Sequence, residues 1–233
     1  MPTLSITGDV DPFLHVRLKK GETIYCESDA MVTMEATLDL KGKVKGGLIR
    51  ALVRRLAQDE SFFQQHIAAT RGDGTCLLAP VLPGAIRLVE CGASQYVVAD
   101  GAFVAATEGV LMKVRMQGLG NALFAGNGGF LVGETSGSGQ LAVSGFGAIS
   151  VLQVEPNNDL IIDNSHLVAW DSTLRYHVSV TTGGAGLLGS LINSQTSGEG
   201  IVLRFSGSGK VLVCSRNREA FRAWAQPKAA KTK

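Results

Sequence analysis

Four histidines, His15, His66, His166 and His177, and four cysteines, Cys26, Cys76, Cys91 and Cys214, are the side chains here best suited to hold a metal or attack an electrophile. Neither set is spaced for that work. The histidines form no His-x-His or His-x-x-x-His and the cysteines no Cys-x-x-Cys, so no single strand or helical turn delivers two ligands together. A serine nucleophile needs a base, an orienting acid and a sharp strand-to-helix turn, and no Gly-x-Ser-x-Gly is present. Ser138, in Gly137-Ser138-Gly139, reads as a turn residue whose counterparts are Asp73 and Glu199. The glycine clusters match no phosphate loop of the Gly-x-x-x-x-Gly-Lys-Ser/Thr kind. The expectation is therefore no catalytic residue, no metal ligand, no cofactor and no small-molecule substrate. The cysteines read as buried thiols in a reducing compartment.

One charge pattern stands out. Lys41, Lys43 and Lys45 alternate, which puts them on one face of a strand, and Arg50, Arg54 and Arg55 follow, with Asp39 the acidic residue beside them. Such a run attracts RNA or anionic lipid, or is simply a solvated face. It lacks the interleaved aromatic residues on which single-stranded nucleic acid stacks, so nucleic acid is the weaker expectation. The chain as a whole carries a formal charge of +2, from 22 Lys+Arg and 20 Asp+Glu, which by itself names no partner.

The elements that would position these groups repeat. Tyr25-Cys26-Glu27-Ser28-Asp29-Ala30-Met31-Val32-Thr33 aligns with Val97 to Ala105 and with Ile161 to Ala169, which makes Met31, Phe103 and Leu167 equivalent. Gly-Leu-x-x-small-Leu then recurs, from Gly47 to Leu52, Gly118 to Leu123 and Gly186 to Leu191. Gly-x-Gly follows each, as Gly72-Asp73-Gly74, Gly137-Ser138-Gly139 and Gly198-Glu199-Gly200. Short apolar or alternating runs between glycine turns predict strands; among them are Thr173–Val180 and a hairpin joining Ile201–Phe205 to Val211–Cys214. Helix is expected only over Leu48–Gln58 and Arg218–Ala225.

The 233 residues, 45% of them hydrophobic, suffice for a sizeable core, and 29 glycines with 6 prolines indicate many tight turns. The chain is expected to be all-β: one compact triplicated domain over 1–225, with units of about 10–75, 76–140 and 141–225 and a basic flexible tail at 226–233. Its N-terminus lacks the basic flank and apolar run of a signal peptide, and no apolar stretch reaches the ~18 residues of a membrane span. A cytoplasmic location is the matching expectation.

The segments Leu160 to Trp170 and Ser197 to Gly207, with Glu60-Ser61-Phe62-Phe63 and Gly21-Glu22, resemble the bacterial branch of the mitochondrial-biogenesis family first named for altered inheritance of mitochondria. The resemblance covers about residues 10 to 225; Ser208 departs from it, where many members carry proline. It implies three tandem short double-stranded β-helix units, similar to the subunit of the tryptophan RNA-binding attenuation protein, around a pseudo-threefold axis. It implies no established reaction, and the mitochondrial members are associated with inner-membrane organisation.

Function is accordingly expected on a surface. Under threefold packing the Gly-Leu segments converge, bringing Leu48, Ile49 and Leu52 near Leu119, Leu123, Leu187, Leu188 and Leu191, with Arg50, Arg54 and Arg55 at the rim. That cluster is either a plug of the core or an exposed contact surface. The expected role is a non-enzymatic structural or interaction protein, an oligomeric or membrane-surface scaffold, that associates with itself or a protein partner and contacts membranes peripherally. The alternative is an RNA-binding protein using Lys41 to Arg55.

Overall fold

The computed structural model describes residues 1–43, 64–117, 130–178 and 202–225. The described chain is all-β apart from one 3-10 turn, Asn164–His166, and one terminal helix. The strands are β1 (Thr3–Thr7), β2 (Phe13–Leu18), β3 (Thr23–Glu27), β4 (Met31–Met34), β5 (Asp39–Lys43), β6 (Gln64–Ala68), β7 (Gly74–Leu78), β8 (Ile86–Cys91), β9 (Tyr96–Ala99) and β10 (Phe103–Thr107). They continue as β11 (Val110–Gln117), β12 (Phe130–Gly137), β13 (Gly139–Ser144), β14 (Ile149–Val154), β15 (Leu160–Asp163), β16 (Leu167–Asp171), β17 (Arg175–Val178), β18 (Val202–Ser206) and β19 (Gly209–Cys214). Helix α1 spans Arg218–Ala225, as its sequence predicts.

Hydrogen bonding sorts the strands into four antiparallel sheets. Their orders are β1-β2-β7-β4, then β5-β6-β3-β10-β13-β8, then β11-β12-β9-β16-β19-β14, then β15-β18-β17. Apolar side chains fill three cores between successive sheets. Leu14, Val16 and Leu78 of the first sheet meet Ile24, Cys26 and Ala105 of the second. Phe103, Leu141 and Val143 of the second meet Val98, Ala169 and Leu212 of the third. Val97, Trp170 and Val211 of the third meet Ile162, Leu203 and Phe205 of the fourth. This layering explains the strand compositions. β10 lies in a middle sheet and is buried on both faces, so it reads as a continuous apolar run. β2 lies in an end sheet and alternates, with Leu14, Val16 and Leu18 inward and Phe13 and Arg17 outward.

The three aligned segments occupy matching places. β4, β10 and β16 each pair with the strand that follows a Gly-x-Gly, and each carries a register irregularity at the same step, Met31/Thr33, Phe103/Ala105 and Leu167/Ala169. The third Gly-x-Gly is reassigned by this register. Gly209 opens β19 as Gly74 opens β7 and Gly139 opens β13, so Gly207-Ser208-Gly209 is the counterpart, and Gly198-Glu199-Gly200 lies outside the described residues. The hairpin expected around Gly207-Ser208-Gly209 does not form. β18 pairs with β15 and β17, whereas β19 pairs with β14 and β16, so the chain crosses between sheets there, with Gly207 at φ +114°.

Candidate functional site

All eleven residues of the expected interaction surface fall outside the described residues: Leu48, Ile49, Arg50, Leu52, Arg54, Arg55, Leu119, Leu123, Leu187, Leu188 and Leu191. The expected helix Leu48–Gln58 lies outside them too. The strand pairs that bracket these segments are described, and they are alike: β5 with β6, β11 with β12, and β17 with β18, each antiparallel. Of the basic run only the Lys41 side chain is described, exposed on β5. It lies near Asp39, whose carboxyl is held below its ordinary pKa by hydrogen bonds from Thr70 and Arg71, by the Arg71 charge and by Lys41.

Several of the groups weighed for chemistry make contacts within the fold. His166 Nδ1 lies 2.7 Å from the Cys214 carbonyl, and the His66 ring lies 6.0 Å from that of Tyr25. His177 is exposed on β17 opposite Arg204. Among the described residues no three His, Cys, Asp or Glu side chains are grouped to hold a metal ion. All four cysteines are free and buried. Burial, with smaller contributions from Cys76 and Glu27, pushes the Cys26 thiol up to about 12; burial alone does the same for Cys76. Such thiols are poor nucleophiles at neutral pH. Ser138 is exposed, and its amide donates to the Gly109 carbonyl at 3.0 Å.

The feature that the structure does set apart lies at the two ends of the sheet order. In the second sheet β3 pairs with β10, and in the third β9 pairs with β16. β4 takes in the first sheet the place of β10 and β16, and β15 takes in the fourth the place of β3 and β9, yet among the described residues β4 and β15 are edges. Their side chains register the difference. Val32 is 53% exposed, while Val104 and Val168 at the matching positions are 0% and 1% exposed. Ile161 is 57% exposed, while Tyr25 and Val97 are 6% and 3%.

Both edges are short, β4 is bulged at Met31/Thr33 and β15 ends on Asp163, but neither carries the residues that guard a strand edge most directly. β4 is Met-Val-Thr-Met and β15 is Leu-Ile-Ile-Asp, without lysine or proline in either. Each is as long as β9, which is paired on both sides. These edges were missed by reading motifs. The signal available was the repeat itself, since an array of units that join side by side ends in one unmet edge at each terminus, normally given a polar cap.

Comparison with known proteins gives a consistent picture. The profile of the family described as Mitochondrial biogenesis AIM24 matches residues 4–216. An uncharacterised Streptococcus pyogenes protein, M6_Spy0233, is 34% identical over 216 residues, covering 90% of this chain and 84% of its own. The crystal structure of SPYM3_0169, also from Streptococcus pyogenes, superposes with a TM-score of 0.77 at 30% identity, covering 96% of this chain and 98% of that one.

Proposed function

The chain belongs to the Mitochondrial biogenesis AIM24 family, and we propose that it is a non-enzymatic interaction protein whose working surfaces are the open edges β4 and β15. One observation carries this reading: apolar side chains that are buried at two internal joins stand exposed at the two ends. Exposed apolar strand edges pair with other chains. In this reading the molecule is one domain over 1–225 made of three copies of a double-stranded β-helix unit. The shared strand order of the second and third sheets and the recurrent register step support that unit. Four free buried thiols support a reducing compartment such as the cytoplasm.

Hydrogen exchange tests the reading on protein isolated with its native associations and again after it is stripped to the bare chain. The amides of β4 and β15 exchange slowly in the first state and fast in the second, while β10 and β16 stay protected in both. Equal, fast exchange of β4 and β15 in both states removes the reading.

Contact with an anionic membrane surface is favoured by a separate observation. Helix α1 leaves Phe221 and Trp224 exposed, with Arg222 in its last turn, the residue types that settle at a headgroup boundary. No described helix is long and apolar enough to cross a membrane. A blue shift of Trp224 emission with vesicles containing phosphatidylserine, absent with phosphatidylcholine alone, is the expected result.

A further inference from the structure

We propose that β15 of one molecule adds antiparallel to β4 of a second copy, so that copies associate head to tail through the join already made twice within each chain. The inference rests on the interaction reading above and names its partner. The internal joins supply the template. Cys26 faces Ala105, Tyr25 faces Ala106 and Ile24 faces Thr107; Val98 faces Ala169, Val97 faces Trp170 and Tyr96 faces Asp171. The matching register places Ile162 opposite Thr33, Ile161 opposite Met34 and Leu160 opposite Glu35. Polar residues then occupy the same end of all three joins, at Thr107, Asp171 and Glu35.

The faces agree as well as the edges. At the first join Ile24, Cys26, Val104 and Ala105 all enter the first core, and Tyr25 and Phe103 both enter the second. A continuous sheet made from β15 and β4 therefore carries Val32 and Thr33 onto the face where Ile162 enters the third core of one molecule. It carries Ile161 onto the face where Met31 and Met34 pack on the first core of the other. Each exposed apolar residue is thus covered by the partner's end core. A second copy is the occupant because this chain owns both complementary edges, each with the pattern that the other one's internal counterpart accepts. The two edges differ, so the interface is heterologous, and copies extend into a ring or a filament.

Two single variants, Ile161→Cys and Met34→Cys, test the register. Neither can cross-link to itself at the proposed join, since in either variant alone each join holds a single introduced cysteine. Mild oxidation of an equimolar mixture should give a covalent dimer absent from either variant alone. Wild type should sediment above its 24.5 kDa monomer mass in a concentration-dependent way. Val32→Lys should weaken that association by about 10- to 100-fold with unchanged circular dichroism, because an exposed position accepts the charge in the monomer and the join does not. An intramolecular cross-link in the double variant, with none in the mixture, means that the chain closes on itself and overturns the proposal. A wild type that sediments as monomer at every concentration, with no cross-link, also overturns it. In that case slow exchange of β4 and β15 in native associations would still uphold the interaction reading with a different partner, whereas fast exchange would end both.

Discussion

Tyr25 of β3 lies against Phe103 of β10 with ring centroids 5.6 Å apart and planes 23° from parallel, and its hydroxyl donates to the Val110 carbonyl. The pair spans the first internal join. Both side chains are buried, and burial raises the phenol's pKa above its ordinary value, so the hydroxyl stays protonated and remains a donor. Tyr25→Phe keeps the ring and leaves the buried carbonyl without its partner, a loss of about 1–2 kcal/mol. Tyr25→Ala empties the space as well and should cost about 3–5 kcal/mol. Urea midpoints compared at constant m-value check both figures. Equal midpoints for wild type and Tyr25→Ala would show that this contact adds no stability to the join.

The two tryptophans report opposite environments. Trp170 is fully buried among Tyr176 and Phe205, with ring centroids 5.5 and 5.7 Å away, whereas Trp224 is exposed on α1. Trp224→Phe should leave blue-shifted emission that iodide quenches poorly. Trp170→Phe should leave red-shifted, readily quenched emission. The indole Nε1 of Trp170 has no hydrogen-bond partner among the described residues, so Trp170→Phe removes an unsatisfied donor together with some packing. Its cost is expected at about 1–2 kcal/mol, against about 3–5 kcal/mol for Trp170→Ala.

Local pattern made the strands legible, and non-local pairing decided everything beyond them. Met31, Phe103 and Leu167 align by spacing, and each opens a strand with the same register step. The run around Gly207-Ser208-Gly209 misleads because apolar strand, glycine turn and apolar strand look the same whether the chain folds back on its neighbour or crosses to another sheet. The open edges were illegible for a related reason. Val32, Val104 and Val168 are the same residue at the same position, and only the presence or absence of a neighbouring strand separates exposed from buried. The Gly-Leu segments, found as readily as the strands, lie outside the described residues, so their convergence stays an expectation.

The buried thiols make stability depend on alkaline pH. The ordinary cysteine value of 9.0 applies to the unfolded chain, and Cys26 and Cys76 titrate at about 12 when folded. Folding therefore favours the protonated thiols. Their contribution is complete below about pH 9 and is lost as pH rises from 9 toward 12, because the unfolded state sheds its protons first. The urea midpoint should fall between pH 8.5 and about 10.5, and Cys26→Ala with Cys76→Ala should flatten part of that decline. Thiol reagents at neutral pH should label the native protein slowly and all four cysteines quickly in denaturant.

Gly84 and Gly147 hold the loops ahead of β8 and β14 together in an isolated parallel bridge. Ala85 N–H donates to the Gly147 carbonyl at 2.7 Å, and Gly147 N–H donates to the Pro83 carbonyl at 3.0 Å. A Cβ at Gly84 would lie 2.1 Å from the Gly145 carbonyl oxygen and 2.4 Å from the Gly147 nitrogen, both backbone atoms that cannot swing aside, and φ there is +149°. Gly84→Ala must then separate the loops, and a loss of about 2–4 kcal/mol is expected, in the range of strained backbone plus broken hydrogen bonds. Gly21 is the control. Its φ is +91°, yet no atom of the described residues lies within 4 Å of an added Cβ, so Gly21→Ala bears strain without collision and should lose only about 1–2 kcal/mol. Thermal melts of the two variants beside wild type separate collision from strain. Equal shifts for both would mean that the loop bridge yields freely and contributes little to holding the second and third sheets in place.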